Sequence, residues 1–162
     1  MGHIGHKRPP FFATFIATGF GSGYSPIAPG TAGAALAVLL WIAGYMTMPF
    51  DALQMVLAGA TLLFTALGVW AGNVMERYWG EDPSRVVVDE MVGVWIPLLV
   101  VPAENWWYVL AAFVLFRLFD IVKPLGVRRM ERLGGGLGIM MDDILAGVYS
   151  ALLLVAARLL IG

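Results

Sequence analysis

The stretch that decides the fold reads Arg85-Val-Val-Val-Asp-Glu-Met-Val-Gly-Val-Trp95, in which two adjacent carboxylates stand where an apolar run begins. Ionisable groups at the mouth of a membrane segment are costly, so Asp89 and Glu90 are candidates for function. Two other segments repeat this arrangement. Phe116-Arg-Leu-Phe-Asp-Ile-Val-Lys-Pro124 closes an apolar run, and Gly134-Gly-Gly-Leu-Gly-Ile-Met-Met-Asp-Asp143 precedes the last one. The repetition predicts three charged clusters at the ends of hydrophobic helices.

The composition is that of an integral membrane protein. Of the 162 residues, 60% are hydrophobic and 13% are charged, and the mean hydropathy is +0.82. A soluble domain is nearer half apolar and a quarter charged. The net charge of −1 provides no basic surplus for a nucleic-acid partner. We therefore expect a single membrane-embedded domain over residues 1–162.

Two residue types are missing from the hydrophobic body. The chain has no cysteine, and its two histidines, His3 and His6, lie in a polar N-terminal stretch. Thiolate nucleophiles, thiolate metal sites and disulfides are therefore excluded. Any catalysis in the body of the protein must come from carboxylates, hydroxyls, lysine, arginine, asparagine or a metal ion.

The apolar runs predict an all-α integral membrane protein with about five hydrophobic helices. Residues 11–20 are apolar but too short to span a membrane, so they predict an interfacial or re-entrant segment. Arginines at helical spacing predict an amphipathic interfacial helix near 124–133. The third and fourth runs are short for a hydrocarbon core of ~30 Å, and we expect flanking turns or surrounding protein to shelter them. The five runs cover roughly residues 31–48, 52–75, 86–101, 106–119 and 143–161.

The basic residues predict the orientation. With five spans, Lys7 and Arg8, the pair Arg77 and Arg85, and the basic residues of 123–132 all fall on one side. Basic loops face the cytoplasm, so this side is predicted to be cytoplasmic, with Arg158 as the one exception. The three charged clusters would then lie on the cytoplasmic side at similar depth.

Carboxylates gathered at one depth repel each other strongly in a low dielectric. Arg117 and Lys123 offset part of the negative charge, and a divalent cation is the simplest way to offset the rest. With oxygen ligands alone, Mg²⁺, Mn²⁺ or Ca²⁺ is expected rather than Zn²⁺. Each cluster alone also has a structural interpretation, such as a helix cap or a salt bridge, but three together favour a metal and phosphate site. The carboxylates are Asp89, Glu90, Asp120, Asp142 and Asp143.

The segment Gly19-Phe-Gly-Ser-Gly-Tyr-Ser-Pro-Ile-Ala-Pro-Gly-Thr31 predicts a loop that leads into a helix starting at Thr31. A helix N-terminus preceded by glycines is a natural anion site. The hydroxyls of Ser22, Ser25 and Thr31 add hydrogen-bond donors to it. An ordinary flexible linker is the alternative interpretation.

These motifs together resemble the phosphatidylglycerophosphatase A family of bacteria. The resemblance rests on the glycine-rich loop, on Val87–Trp95, on Phe116–Pro124 and on Gly136–Gly147. It implies a Mg²⁺-dependent phosphatase of the inner membrane that converts phosphatidylglycerophosphate to phosphatidylglycerol and inorganic phosphate, with its chemistry facing the cytoplasm.

The expected mechanism is metal-assisted attack of water on a phosphomonoester. Arg117 and Lys123 are expected to bind the phosphate, with the hydroxyls of the glycine-rich loop as further donors. The alternatives are a small ion-coupled transporter or channel subunit, and a lipid phosphatidyltransferase. Membrane lipids are the other expected partners, and an oligomer is compatible with the small residues of the spans. The expected metal ligands are Asp89, Glu90, Asp142 and Asp143, and the expected catalytic residues are Asp89, Glu90, Asp120 and Asp143, with Asp120 as a ligand or as the water-positioning base.

Overall fold

The structure is a computed structural model that describes residues 7–162, so His3 and His6 lie outside the described residues. Every regular element between residues 7 and 162 is helical, which confirms the all-α prediction. Short 3-10 turns occur at Ser22–Tyr24 and Glu131–Leu133. The helices are α1 (Phe11–Ala17), α2 (Pro29–Thr47), α3 (Phe50–Trp79), α4 (Val88–Leu98), α5 (Trp106–Val122), α6 (Val127–Met130) and α7 (Gly135–Ile161).

Among residues 7–162, the helices α2, α3 and α7 are long and apolar enough to cross a membrane. Their outer faces carry large, exposed apolar side chains, as Leu62 (75% exposed) and Leu152 (63% exposed) illustrate. Such a surface is incompatible with water and suits lipid. The protein is therefore a membrane protein, as the composition predicts.

The central element is the short helix α4, which packs against α2, α3, α5 and α7. Nine of its residues, Asp89 among them, are buried. With 11 residues it is about 17 Å long, too short to cross a hydrocarbon core. The expectation that surrounding protein shelters the third apolar run therefore holds for α4.

Arg158, the one basic residue that does not fall on the predicted cytoplasmic side, contacts the chain just after the C-terminal end of α4. Helix α4 ends at Leu98, one residue after Pro97, whose missing N–H removes one hydrogen bond from the last turn of the helix. Arg158 Nη1 donates to the carbonyl of Val100 (2.7 Å), just beyond that end. Arg158 thus binds a free carbonyl at the end of the bundle opposite to the other basic residues.

Glycines let α7 approach its two neighbours closely. A methyl group on Gly72 of α3 would come within 2.8 Å of Gly136 Cα, and one on Gly147 would come within 3.2 Å of the Gly93 carbonyl carbon of α4. Backbones approach this closely only where side chains are absent. The two contacts fix α7 beside the start of α4.

Helix α7 begins eight residues before its predicted start near 143. Its first turn is capped from another helix, since Asn73 Oδ1 accepts a hydrogen bond from Gly136 N (2.8 Å). Asp142 and Asp143 consequently lie inside α7, about two turns from its beginning. They are not N-caps, so the interpretation of either residue as a helix cap is wrong.

The predicted amphipathic helix near 124–133 is broken in the structure. Only Val127–Met130 is α-helical, and the 3-10 turn follows directly. Leu125 and Gly126 have left-handed backbone angles (φ 49° and 90°), which end regular helix at that point. The Tyr149 hydroxyl donates to the Leu125 carbonyl and so ties this segment to α7.

The N-terminal segment folds against the start of α4. Helix α1 packs on α3, and Val87 N donates to the carbonyl of Ala17 (2.8 Å). The Arg85 guanidinium lies 5.7 Å from the ring of Tyr24 and 5.6 Å from that of Trp79, within the range of cation–π attraction. These contacts place the glycine-rich loop at the end of the bundle that carries the charged clusters.

Candidate metal centre

The structure brings the five predicted carboxylates together. They come from the first turn of α4, the last turn of α5 and the interior of α7. Their oxygens form two groups, and within each group one oxygen from every residue lies within 4.8 Å of the others. One group contains Asp89, Asp142 and Asp143, and the other contains Glu90, Asp120 and Asp143. We call these five residues the carboxylate cluster.

The cluster is buried, and several of its oxygens have no protein partner. Asp143 is 1% exposed and Asp89 is 7% exposed. Asp89 Oδ1, Glu90 Oε2 and Asp143 Oδ2 are buried without a hydrogen-bond partner. A buried polar atom without a partner destabilises the fold, and a bound cation removes that cost. Because all the potential metal ligands are carboxylate oxygens, the residues fit a hard cation such as Mg²⁺.

Arg117 forms an ion pair with one carboxylate of the cluster. Its Nη1 forms an ion pair with Asp120 Oδ2, three residues further along α5. Its Nε is buried and has no acceptor. A guanidinium N–H that is free in this position can donate to an oxyanion without breaking the ion pair to Asp120.

Lys123 forms ion pairs with Asp142, Glu131 and Asp120. Its ammonium lies 2.7 Å from Asp142 Oδ2, 3.1 Å from Glu131 Oε1 and 3.8 Å from Asp120 Oδ1. Burial alone would lower the pKa of Lys123, but the hydrogen bond and charge of Asp142 outweigh it and raise the pKa above its ordinary value. Lys123 is therefore held charged, with its donors directed at carboxylates of α5, α7 and the turn between them.

The start of α2 abuts the same cluster. A methyl group on Gly30 would come within 2.6 Å of Glu90 Oε1 and within 3.3 Å of Arg117 Nη1. Ala28, the residue before the helix, gives no side-chain cap to its first turn. The first-turn N–H groups, which include that of Thr31, therefore lie beside the cluster at the positive end of the helix dipole.

The two serines of the glycine-rich loop are engaged locally. Ser22 Oγ donates to the Gly19 carbonyl (2.8 Å) and Ser25 Oγ donates to the Ile27 carbonyl (2.8 Å). Each hydroxyl has one proton to donate, so contact with a phosphate would require these bonds to exchange. Phosphate binding by Ser22, Ser25 and Thr31 stays a prediction.

A cleft of about 410 Å³ opens beside the cluster, and Asp142 lies in its wall. Carboxylates dominate its lining, and glycines of the first turns of α7 form much of the rest. Partial burial raises the pKa of Asp82, which lies in this wall in the loop after α3. The other lining residues are Glu76, Glu81, Glu131, Gly134, Gly135, Gly138 and Ile139.

The family to which the chain belongs follows from sequence comparison. The family model described as phosphatidylglycerophosphatase A matches residues 15–158. The chain belongs to the phosphatidylglycerophosphatase A family. This confirms the resemblance found in the motifs, identifies the protein as a relative of lipid phosphatases and does not favour the transporter alternative. No solved structure matched the chain.

Three relatives of the chain match over most of their length. The phosphatidylglycerophosphatase A of Escherichia coli is 41% identical over 139 residues, which cover 84% of this chain and 77% of that protein. The enzyme of the same name from Haemophilus influenzae is 38% identical over 145 residues, 88% of this chain and 86% of the relative. A Bacteroides thetaiotaomicron protein called a putative phosphatidylinositol-3-phosphatase is 64% identical over 158 residues, 96% of this chain and 99% of the relative.

Sequence reasoning missed the acidic cleft of this family member. Glu131 lies in a segment predicted to be a continuous helix, and its approach to Lys123 depends on the 3-10 turn that replaces it. Glu81 and Asp82 belong to a polar loop with no recognisable motif. The one signal in the sequence is the glycine-rich stretch before Asp142, which predicts close approach of another backbone or of a ligand.

Proposed function

We propose that the protein hydrolyses phosphatidylglycerophosphate to phosphatidylglycerol and inorganic phosphate, with Mg²⁺ bound at the carboxylate cluster. One observation carries this proposal. Three buried carboxylate oxygens of the cluster have no partner, and neither does the Nε of Arg117, which pairs with Asp120 of the same cluster. Unpaired acceptors suit a cation, and an unpaired guanidinium donor suits the phosphoryl group that the cation would neutralise.

Asp89, Glu90, Asp142 and Asp143 would hold the metal. Bound Mg²⁺ polarises the phosphoryl oxygens of a substrate and lowers the pKa of a water molecule that it binds. Asp89 and Glu90 belong to the buried start of α4, and Asp142 and Asp143 belong to the interior of α7. Their backbones are fixed by helix packing, which suits the tight geometry that Mg²⁺ requires.

Arg117 would orient the phosphoryl group. Its Nε and the first-turn N–H groups of α2 lie on one side of the cluster, where they can donate to the equatorial phosphoryl oxygens. Water attacks phosphorus, the bond from phosphorus to the glycerol oxygen breaks, and the proton lost by the water is balanced by the one gained by the leaving oxygen. Asp120 serves as a ligand or as the base that positions the water.

Lys123 would mainly hold the carboxylates of the protein in place rather than bind the substrate. Its ammonium faces Asp142, Glu131 and Asp120, so it holds the end of α5 against α7. Phosphate binding by Lys123, as predicted from its spacing, requires one of these donors to turn away from its carboxylate.

The site would face the cytoplasm from the inner membrane. Arg77, Arg85, Lys123 and the arginines of 128–132 lie at the same end of the bundle as the cluster, and Arg158 lies at the other end. Basic loops stay on the cytoplasmic side during insertion. The substrate's phosphate would enter from the cytoplasmic leaflet while its acyl chains stay in lipid.

The test is an Asp143→Asn variant assayed in mixed micelles. We expect turnover of phosphatidylglycerophosphate to be nearly abolished while the folded fraction in detergent is unchanged. Asp51→Asn is the matched control, because Asp51 is exposed in the first turn of α3 at the opposite end of the bundle. Wild-type turnover in the Asp143 variant would remove Asp143 from the site, and ion-dependent flux in proteoliposomes without phosphate release would favour the transporter alternative.

A lipid with a phosphorylated inositol head group is the second candidate substrate. The name of the 64% identical relative favours it. The cleft beside the cluster, about 410 Å³ in volume and rich in carboxylates, offers acceptors for the hydroxyl groups of a polyol. Comparing kcat/KM for phosphatidylglycerophosphate and phosphatidylinositol 3-phosphate in the same micelles decides between them, and a preference for the inositol lipid would replace our substrate assignment.

A further inference from the structure

We propose that the carboxylate cluster binds two divalent cations, with Asp143 shared between them. This inference rests on the proposed function in one respect, namely that the cluster binds a divalent cation at all. It adds the number of ions and assigns a separate set of residues to each.

The two carboxylate groups divide the cluster in a regular way. Asp89 belongs to one group and Glu90 to the other, while Asp143 belongs to both. Consecutive residues of a helix point about 100° apart, which allows the two neighbouring carboxylates of α4 to serve different groups. Asp142 completes the first group and Asp120 completes the second. Each group therefore has three potential ligands from two or three helices.

The unpaired oxygens are also divided between the groups. Asp89 Oδ1 belongs to a residue found only in the first group, and Glu90 Oε2 to a residue found only in the second. Asp143 Oδ2, on the shared residue, is unpaired as well. Because Asp89 and Glu90 belong to different groups, an ion held by one group alone would not have the other residue among its ligands. Two ions that share Asp143 would place a cation beside all three residues that carry an unpaired oxygen.

The net charge of the site also favours two divalent ions. The five carboxylates and Glu131, which also pairs with Lys123, face two cations, Arg117 and Lys123, so the site has an excess of four negative charges. One divalent ion leaves two negative charges, which would repel a phosphomonoester. Two divalent ions neutralise the site and remove that repulsion. Paired ions that clamp both the attacking and the leaving oxygen are a common arrangement in phosphatases.

Binding of Mn²⁺ to the full-length protein in detergent tests the inference without any substrate. Electron paramagnetic resonance counts the bound ions and detects spin coupling between two ions that share a ligand. We expect two Mn²⁺ per chain with a coupled spectrum in the wild type. Asp142→Asn and Glu90→Gln should each bind one uncoupled ion, and the control Asp51→Asn should behave as the wild type.

A single Mn²⁺ per wild-type chain would overturn the inference, and so would two ions with no coupling. If Glu90→Gln fails to fold, Asp120→Asn removes a ligand of the same group and must give one uncoupled ion. A different result would refute the proposed function. Two coupled ions in a protein that releases no phosphate would refute the phosphatase assignment and leave the two-ion site intact, whereas phosphate release with a single bound ion would do the reverse.

Discussion

The contact between α4 and α7 predicts that Gly147→Ala impairs activity more than stability. A methyl group at position 147 would lie 3.2 Å from the Gly93 carbonyl carbon and 3.2 Å from Ile96 Cβ, and closer still to the Gly93 carbonyl oxygen. Comfortable carbon contacts are ~3.5–4.0 Å, so the two helices must separate by on the order of 1 Å. Asp143 lies one turn before Gly147, and Asp89 lies one turn before Gly93, so the separation passes directly to the cluster.

Two estimates follow from that displacement. Overpacking costs about 1–3 kcal/mol, but alanine recovers about 1 kcal/mol of helix propensity, so the net loss of stability is moderate. A displacement of ~1 Å at the reacting groups costs about 10²-fold in rate. Phosphate release in mixed micelles and thermal unfolding in detergent measure the two effects on the same preparation.

Gly59→Ala is the matched control for this variant. Gly59 is also in a helix, but a methyl group there would meet nothing within 4 Å. We expect this control to keep full activity and to be as stable as the wild type or slightly more stable. Unchanged activity in Gly147→Ala would refute the claim that the α4–α7 contact sets the geometry of the site.

Two further predictions concern the rim of the site. Asn73→Ala removes the acceptor of Gly136 N and should cost about 1 kcal/mol of stability in thermal unfolding, whereas Asn73→Asp keeps an acceptor and should lose much less. The raised pKa of Asp82 means that the folded state binds the proton more tightly than the unfolded state, so stability falls as the pH rises from the ordinary pKa of this carboxyl through the raised one. Asp82→Asn should remove that dependence and stabilise the protein at neutral pH by less than about 1 kcal/mol, because the group is only partly buried and its charge is screened. A thermal unfolding midpoint that is lower than that of the wild type at neutral pH would contradict this reasoning.

The convergence of the carboxylates could be predicted because it depends on few physical quantities. Apolar runs mark the helices, and basic loops fix which helix ends share a side. Asp89 and Asp120 each adjoin a helix end on one side, and Asp143 adjoins the predicted start of the last apolar run on that side, so their proximity follows from topology alone. The structure adds the division into two groups, which depends on side-chain directions that no sequence pattern carries.

The start of α7 could not be predicted because its cap comes from elsewhere in the chain. Glycines at 134–136 suggest a loop by local propensity, yet Asn73 supplies the missing acceptor across the contact between α3 and α7. The same glycines are required there, since a methyl group on Gly72 would meet Gly136 Cα at 2.8 Å. A tertiary contact therefore overrides the local preference.

The central position of α4 and the acidic cleft have the same origin. The third apolar run is counted among the five predicted spans although it is short, but only Val88–Leu98 is helical, and its neighbours bury it. Glu131 meets Lys123 only because the chain leaves α-helical geometry between Met130 and Gly134. Both outcomes depend on how whole helices are arranged, which local patterns do not determine.

Phosphate release from phosphatidylglycerophosphate by the purified protein, with Mg²⁺ and then with a chelator, tests the central claim most directly. We predict release that requires Mg²⁺, stops on chelation and returns when Mg²⁺ is restored, because three buried carboxylate oxygens of the cluster lack partners without an ion. Release that continues undiminished in chelator would keep the phosphatase but contradict the metal centre, and no release from folded protein under either condition would contradict the assignment of this substrate.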